Sequence, residues 1–439
     1  MAVINSIWWM LVLIGIMILI HELGHYWAAR WFDVHIEAFS FGFGPRLFGY
    51  RRGETDFRVS LIPFGGYVKM VGEQAGEDGV EDPRGFLAKP RWQRMIIAFA
   101  GPLMNILLAV GLMTGMFMNR YPKIVDADSA ATIGFVEKNS PAAKAGVQEL
   151  DIIASIDGIQ NPSWEEVNLA VVGAANREMA MVVSRDGQQV VTTVTPETDE
   201  ESGVGSAGWY YRHDIQVGAL SPGLGAEKAG VQRGDVLVAL DGIPLRSTPK
   251  LHSLLKEGAG RPVKLTYSRD NKQTTVAIVP KFTEIDAKNK LYLLGVELKP
   301  RSVFVALPFG EALKESVSFN RRNAGVILQI LRGMVERRTS PKGISGPIGI
   351  ARLSSEAASQ GFATFIGLMA MVSLNLAIFN LLPIPILDGG TILMLAIEMV
   401  MRRDLSLQLK ENIFKLGFVF LMMVVAFVLY NDISKLLPT

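Results

Sequence analysis

The sequence predicts a multi-pass α-helical membrane protein with four transmembrane segments and a duplicated α+β region held outside the membrane. Three observations carry that expectation. Of the 439 residues 49% are hydrophobic and 20% charged, and the mean hydropathy is +0.27, more apolar than an ordinary soluble chain. Four apolar runs are long enough to supply spanning helices: about Ile7 to Phe32, Met95 to Met118, Phe362 to Met401, and Leu416 to Tyr430 extended back through Lys415. Between the second and third, "AGVQELDIIASIDG" at 145 returns as "AGVQRGDVLVALDG" at 229, an offset of 84 residues with seven of fourteen positions identical.

The first run contains "LIGIMILIHELGHYWAARWF" (12–31), two histidines and a glutamate inside what otherwise reads as hydrocarbon. A secretory leader is disfavoured, because no basic residue precedes the run and no small-x-small cleavage site precedes the histidines. If the span enters near Ile7, a rise of ~1.5 Å per residue puts His21 roughly 21 Å into a ~30 Å core, on the cytoplasmic side of its middle. An ionisable group there costs about 2.5–3.5 kcal/mol on insertion scales, so a cluster of three is expected to be functional. His21 and His25, four apart, project from one helical face, the spacing at which two imidazoles hold one metal ion. Glu22 then stands beside the metal without ligating it. "HELGH" fits the H-E-x-x-H pattern of zinc metalloproteases, whose glutamate activates the attacking water. In a soluble helix the same letters are often unrelated surface charges; inside a span that reading would turn them to lipid.

Between the first and second runs, residues 39–70 alternate apolar strands with Gly-rich turns and have too few consecutive apolar residues to span, so they read as a β-hairpin. Arg30, Arg46, Arg51, Arg52, Arg58, Lys69, Arg91 and Arg94 lie in or beside the loop between the first and second runs, and Arg402, Arg403, Lys410 and Lys415 lie between the third and fourth runs. The positive-inside rule puts both short loops in the cytoplasm, and both termini and the long segment 119–361 outside it. A net charge of +2 argues against a nucleic-acid partner. With no cysteine, there is no disulfide framework, and any metal must be held by His, Asp or Glu.

In each repeat, "SPAAKAGV" or "SPGLGAEKAGV" reads as a short helix closed by glycine, followed by an alternating strand that runs into an Asp-Gly turn. Over about 120–300 this resembles the PDZ domain in a circularly permuted bacterial form. Such domains bind peptides by strand addition beside a helix, which places the expected grooves at "TIGFV" (132–136) and "DIQVGAL" (214–220). A steric screen above the membrane is the alternative role. Downstream, 311–338 keeps Leu313, Val317, Ala324, Ile327, Leu328, Leu331 and Val335 at helical spacing opposite Arg321, Arg322, Arg332 and Arg337. It reads as an amphipathic helix, either on the outer membrane surface or packed on the second PDZ-like domain.

The third run is too long for one crossing and is interrupted by "NLLPIPILDGG" (380–390), whose prolines and glycines must break the helix. Irregular backbone at membrane depth needs protein or a water-filled cavity around it. A catalytic zinc takes three protein ligands and leaves a fourth position to water. The remaining histidines, His35, His213 and His252, lie outside the spans. Asp388, at the break, is the acidic candidate; Glu398 is at the end of its run. Asn375 and Asn380 are five apart, ~140° around an ideal helix, so they need not share a face. A polar amide in a span is also commonly interhelical glue worth about 0.6–2 kcal/mol, which leaves Asn380, nearest the break, the stronger candidate.

With "HELGH" at 21–25, "LDGG" at 387–390, this order of spans and two PDZ-like domains between the second and third, nearly the whole chain resembles the site-2 proteases, intramembrane zinc metalloproteases, in their bacterial form with tandem PDZ domains. The resemblance implies that His21, His25 and Asp388 ligate Zn2+, that Glu22 is the catalytic base, and that Asn380 and Asn375 bind substrate or polarise the scissile carbonyl. It makes 39–70 a membrane re-entrant β-hairpin that offers an edge to an unwound substrate. It implies an inner-membrane enzyme with periplasmic termini and PDZ-like domains, cutting single-span membrane proteins such as anti-sigma factors or remnant signal peptides. The domain division expected is 1–118 with the first two spans, 119–210 and 211–300 for the PDZ-like domains, 301–361 for the amphipathic helix and linker, and 362–439 for the last two spans. A non-catalytic membrane adaptor displaying PDZ domains is the alternative, and it has no use for His21, Glu22, His25 and Asp388 buried in lipid.

Overall fold

The computed structural model describes residues 2–73, 82–119, 121–125, 130–199, 203–284, 290–341 and 346–436. Among these the helices are α1 (Ala2–Trp31), α2 (Arg91–Met118), α3 (Pro141–Lys144), α4 (Trp164–Gly173), α5 (Gly225–Lys228), α6 (Thr248–Gly258), α7 (Phe309–Val335), α8 (Pro347–Gln360), α9 (Phe362–Asn380), α10 (Asp388–Met401) and α11 (Leu407–Leu436). Four of them, α1, α2, α9 and α11, are long and apolar enough to cross a membrane. The expected third run is two helices, because Pro383 and Pro385 fall in the break between α9 and α10.

Leu13 and Met17 of α1 are buried against Phe365 and Met369 of α9, with Leu108 and Leu112 of α2 alongside. Lipid is as apolar as these side chains, so packing and polar contacts must hold the helices together. The outermost helix, α11, illustrates this: only 6% of its most apolar window is buried. It is tied at both ends. Lys410 Nζ lies 2.6 Å from the buried Glu398 Oε1 of α10, and the Asp432 carboxylate accepts from the backbone N–H groups of Gly346, Ile348 and Gly349 at 2.9, 3.0 and 3.1 Å, capping α8.

The expected hairpin is more elaborate than two straight strands. Strands β1 (Ile36–Arg52) and β2 (Thr55–Met70) each bend. Residues 36–41 register against Gly66–Met70, and Ala38 to Phe41 also register against Asp56 to Val59; residues 46–52 take the other side of Thr55–Ser60. The result is a small sheet four segments wide, with Gly66–Met70 at one edge. Phe41 packs close to Gly15 of α1, and Gly66 close to Ile18. Phe43, Leu47, Phe48, Tyr50, Leu61 and Ile62 remain exposed.

The duplication holds at the level of individual ion pairs. In the first copy Arg185 grips Asp151 through two hydrogen bonds of 2.7 Å and reaches Gly146 O at 2.8 Å; in the second, Arg269 grips Asp235 at 2.7 and 2.7 Å and reaches Gly230 O at 2.9 Å. Asp151 and Asp235 are almost fully buried, so these forked, charge-assisted bonds fix the strand-to-loop corner of each copy. Arg177 likewise pairs with Asp157, holding its carboxyl below the usual carboxylate range, and Arg261 pairs with Asp241 at the matching place. Around them lie two separate cores, one built on Ile133, Ile153, Ile156, Met179 and Met181, the other on Ile215, Leu237, Leu240 and Leu265. In water each such side chain contributes about 1.5–3 kcal/mol.

The groove strands differ from the expectation. The strand Ile215–Leu220 is interior: Val236–Leu240 pairs on one side and Val296–Pro300 on the other, leaving Val296–Pro300 at the sheet edge. In the first copy Ile133–Val136 is likewise covered, by Trp209–Tyr211. In each copy the last strand takes the outer place, Trp209–Tyr211 in the first and Val296–Pro300 in the second. Helix α7 also differs. Ser316 Oγ donates to Val110 O of α2 at 2.7 Å, and Arg322 meets Glu165 of α4 at 2.9 Å. The helix is therefore wedged between α2 and the first copy, and its Ala312 is part of a core with Met113 and Phe117.

Candidate metal centre

His21 and His25 leave α1 on the same face, and Asp388 is the first residue of α10, so the break in the third run delivers the carboxylate to the histidines. His21 Nε2 lies 3.2 Å from Asp388 Oδ2, His25 Nε2 3.5 Å from Asp388 Oδ1, and the two Nε2 atoms 3.2 Å from each other. Ligand atoms of the three residues all fall within 4.8 Å, the only such His/Cys/Asp/Glu group among the described residues. Ile386, just ahead of Asp388, has a φ of 85°, a region a β-branched residue rarely adopts. A side chain on Gly389 would meet Leu382 O at 2.3 Å, so the glycine after Asp388 lets α10 start this close to the loop.

The donors suit a zinc ion. His25 Nδ1 is 2.8 Å from Ile97 O, a carbonyl that can only accept, so a neutral His25 carries its proton on Nδ1 and keeps the Nε2 lone pair for a ligand. That lone pair faces His21 Nε2 and a carboxylate, a convergence that a cation relieves. Two imidazoles and one carboxylate are a recognised catalytic zinc set, and the carbonyl behind His25 is the outer support such ligands need.

A cavity of about 400 Å³ opens on these residues, lined by His21, Glu22, His25, Gly66, Tyr67, Val68, Asn380 and Asp388 and, at its far end, by Arg94, Glu398 and Lys410. Glu22 therefore shares the space with the ligands, with its Cγ 3.0 Å from where a Cβ on Gly66 would stand. Asn380 Nδ2 lies 3.4 Å from His21 Nε2. Asn375 is not among the lining residues, and its buried Oδ1 has no partner among the described residues. His35 stands apart, beside Glu54 and Asp82, as does His213, whose Nδ1 meets Tyr211 O.

Sequence reasoning missed the contribution of α2. Gly101 faces both histidines: a Cβ there would come within 2.2 Å of His25 Nε2 and 2.9 Å of His21 Cε1. Asn105, fully buried one turn on, approaches His21 Nδ1 at 3.3 Å. The signal was present in "GPLMN" (101–105), a glycine and an amide four apart in an apolar span.

A family model described as Peptidase family M50 matches residues 9–424. The chain belongs to peptidase family M50. This M50 chain is 33% identical over 454 residues to a "Putative zinc metalloprotease" of Xylella fastidiosa, covering 98% of each protein. It is 30% identical over 448 residues to the regulator of sigma-E protease RseP of Escherichia coli, covering 97% of this chain and 98% of that one. A solved PDZ domain of an SdrC-like protein from Listeria monocytogenes matches 19% of this chain and 85% of its own, with 22% identity and a TM-score of 0.17. As an M50 peptidase the chain is a zinc metalloprotease, and with its apolar helices and RseP relatives it is an inner-membrane protein.

Proposed function

We propose that this M50 protease cuts the transmembrane segment of single-span membrane proteins, with His21, His25 and Asp388 as zinc ligands and Glu22 as the base. The observation that carries the reading is the shared cavity. Ligand atoms within 4.8 Å of one another, Glu22, and the sheet-edge residues Gly66, Tyr67 and Val68 all face one space beside the apolar helices α1 and α2.

His21, His25 and Asp388 would hold the zinc ion, which would supply Lewis acidity to the scissile carbonyl and make the proton of the attacking water easier to lose near neutral pH. Glu22 takes that proton and passes it to the leaving amide nitrogen. The Asn380 amide donates to the carbonyl oxygen as negative charge builds on it. A helix has its carbonyls hydrogen-bonded and cannot be attacked until it unwinds; the edge Gly66–Met70 holds an opened segment by strand addition. The sheet carrying this edge re-enters the bilayer from the cytoplasmic side. Its exposed Phe43, Leu47, Phe48, Leu61 and Ile62 support that, since they would otherwise face water.

Charge beside the spans supports an inward-facing site, with both termini and the PDZ-like pair in the periplasm. Substrates are then proteins already trimmed on the outside, of the anti-sigma factor type, or remnant signal peptides. The PDZ-like pair screens them by bulk. A cavity of about 1580 Å³ between the first copy, α7 and the outer ends of α2 and α9 leaves room for a narrow stub. Recruitment is the second reading, favoured by the edge strand Trp209–Tyr211, which borders the same space. The ligand assignment is tested by metal analysis of the purified chain. One zinc per chain is expected, absent from a His21→Ala, His25→Ala double variant; unchanged metal content in that variant would overturn it.

A further inference from the structure

The two histidines are supported by one face of α2. Ile97, Gly101 and Asn105 follow one another at four-residue spacing, so they stack along a single stripe opposite His21 and His25. Ile97 O accepts from His25 Nδ1–H at 2.8 Å, Gly101 leaves space for both rings, and Asn105 reaches His21 Nδ1 at 3.3 Å. One feature is incomplete. The amide nitrogen of Asn105 points at His21, while its Oδ1, in a residue with no exposed surface, has no partner among the described residues.

The two ends of an amide are nearly isosteric, and their assignment follows from hydrogen bonding. With Nδ2 toward His21, the amide donates to Nδ1, which leaves the His21 proton on Nε2, the atom that faces His25 and Asp388. That tautomer cannot ligate through Nε2. Turned over, Oδ1 accepts from Nδ1–H and the Nε2 lone pair is freed toward the same point as that of His25, with Nδ2 taking the place that Oδ1 leaves. Ser373 Oγ donates to Asn105 O at 2.9 Å, tying this turn of α2 to α9.

We infer that Asn105 is a positioning residue for the metal centre: its Oδ1 accepts from His21 Nδ1 and so fixes the Nε2-ligating tautomer and the plane of the ring. The inference rests on His21 being a zinc ligand. Outer supports of this kind are worth about 10–100-fold in metal affinity. A side chain that only accepts must preserve the effect, and one that cannot accept must lose it.

The test measures zinc affinity of the full-length protein in detergent by competition with a chelator, for the parent, Asn105→Ala, Asn105→Asp and, as a packing control, Ser373→Ala. Expected is a loss of about 10–100-fold for Asn105→Ala, affinity at or above the parent for Asn105→Asp, and little change for Ser373→Ala. If Asn105→Ala does not fold, Asn105→Leu, close in size and unable to accept, takes its place with the same loss of zinc affinity expected, and parent affinity in that variant overturns the inference equally. Loss of zinc from a folded Asn105→Asp variant, or parent affinity in Asn105→Ala, overturns the inference. A His21→Ala, His25→Ala variant measured alongside separates the two levels: if it keeps its zinc the ligand assignment itself fails, and if it loses zinc while Asn105 behaves otherwise, only the positioning role fails.

Discussion

At the scale of single residues the account divides binding from chemistry. Glu22 lines the cavity without belonging to the ligand triad, so Glu22→Gln is expected to keep its zinc and to lose about 10²–10⁴-fold in cleavage rate, the usual contribution of a general base. Cleavage at the parent rate would remove Glu22 from that role. Gly101→Ala should act on binding instead. Its methyl would stand 2.2 Å from His25 Nε2, so zinc affinity and cleavage should fall together; a variant that retains both would mean that α2 can shift aside. The four residues His21, Glu22, His25 and Asp388 were legible because charge in a span is costly enough to single them out. Asn105 was not, since an amide in a span serves as interhelical glue at least as often, and only its distance from His21 separates the two uses. Asn375 and Asn380 show the same ambiguity; of the two, Asn380 lines the cavity.

At the scale of elements, sequence pattern gave the type of each segment more readily than its partners. Alternation in 39–70 marks strands, but the bends that fold them into four segments depend on pairing between residues far apart, such as Phe39 with both Phe57 and Val68. The apolar stripe on α7 says that one face is covered without saying by what, and α2 with the first copy turned out to supply the cover. The repeat was visible as letters, while the assignment of its edge strands needed the strand pairing itself. Helix α11 offers a test of how elements are joined where hydrophobic burial contributes little. Asp432 accepts three backbone hydrogen bonds at the start of α8, so Asp432→Ala should cost about 1–2 kcal/mol, read as a lower melting temperature in detergent, with Asp432→Asn intermediate. An unchanged melting temperature would show that α11 is held elsewhere.

For the whole molecule, the proposed orientation divides labour between a site near the inner side of the bilayer and a tandem PDZ-like region on the outer side, which would act only on what projects outward. Deleting the PDZ-like pair with the spans kept intact should let the enzyme cut substrates that still carry a bulky outer domain, giving selection by exclusion. The comparison is cleavage of trimmed and untrimmed substrates by parent and deleted forms; loss of cleavage of the trimmed substrate in a zinc-loaded deletion would favour recruitment instead. The central claim is that one metal centre within the helices hydrolyses a peptide bond at membrane depth. Its most direct test is to map the bond cut in a purified single-span substrate by mass spectrometry, using parent protein and Glu22→Gln with equal zinc content. The account predicts cleavage inside the apolar segment by the parent and none by the variant; a cut confined to the water-exposed flanks, or the same products from both proteins, would contradict it.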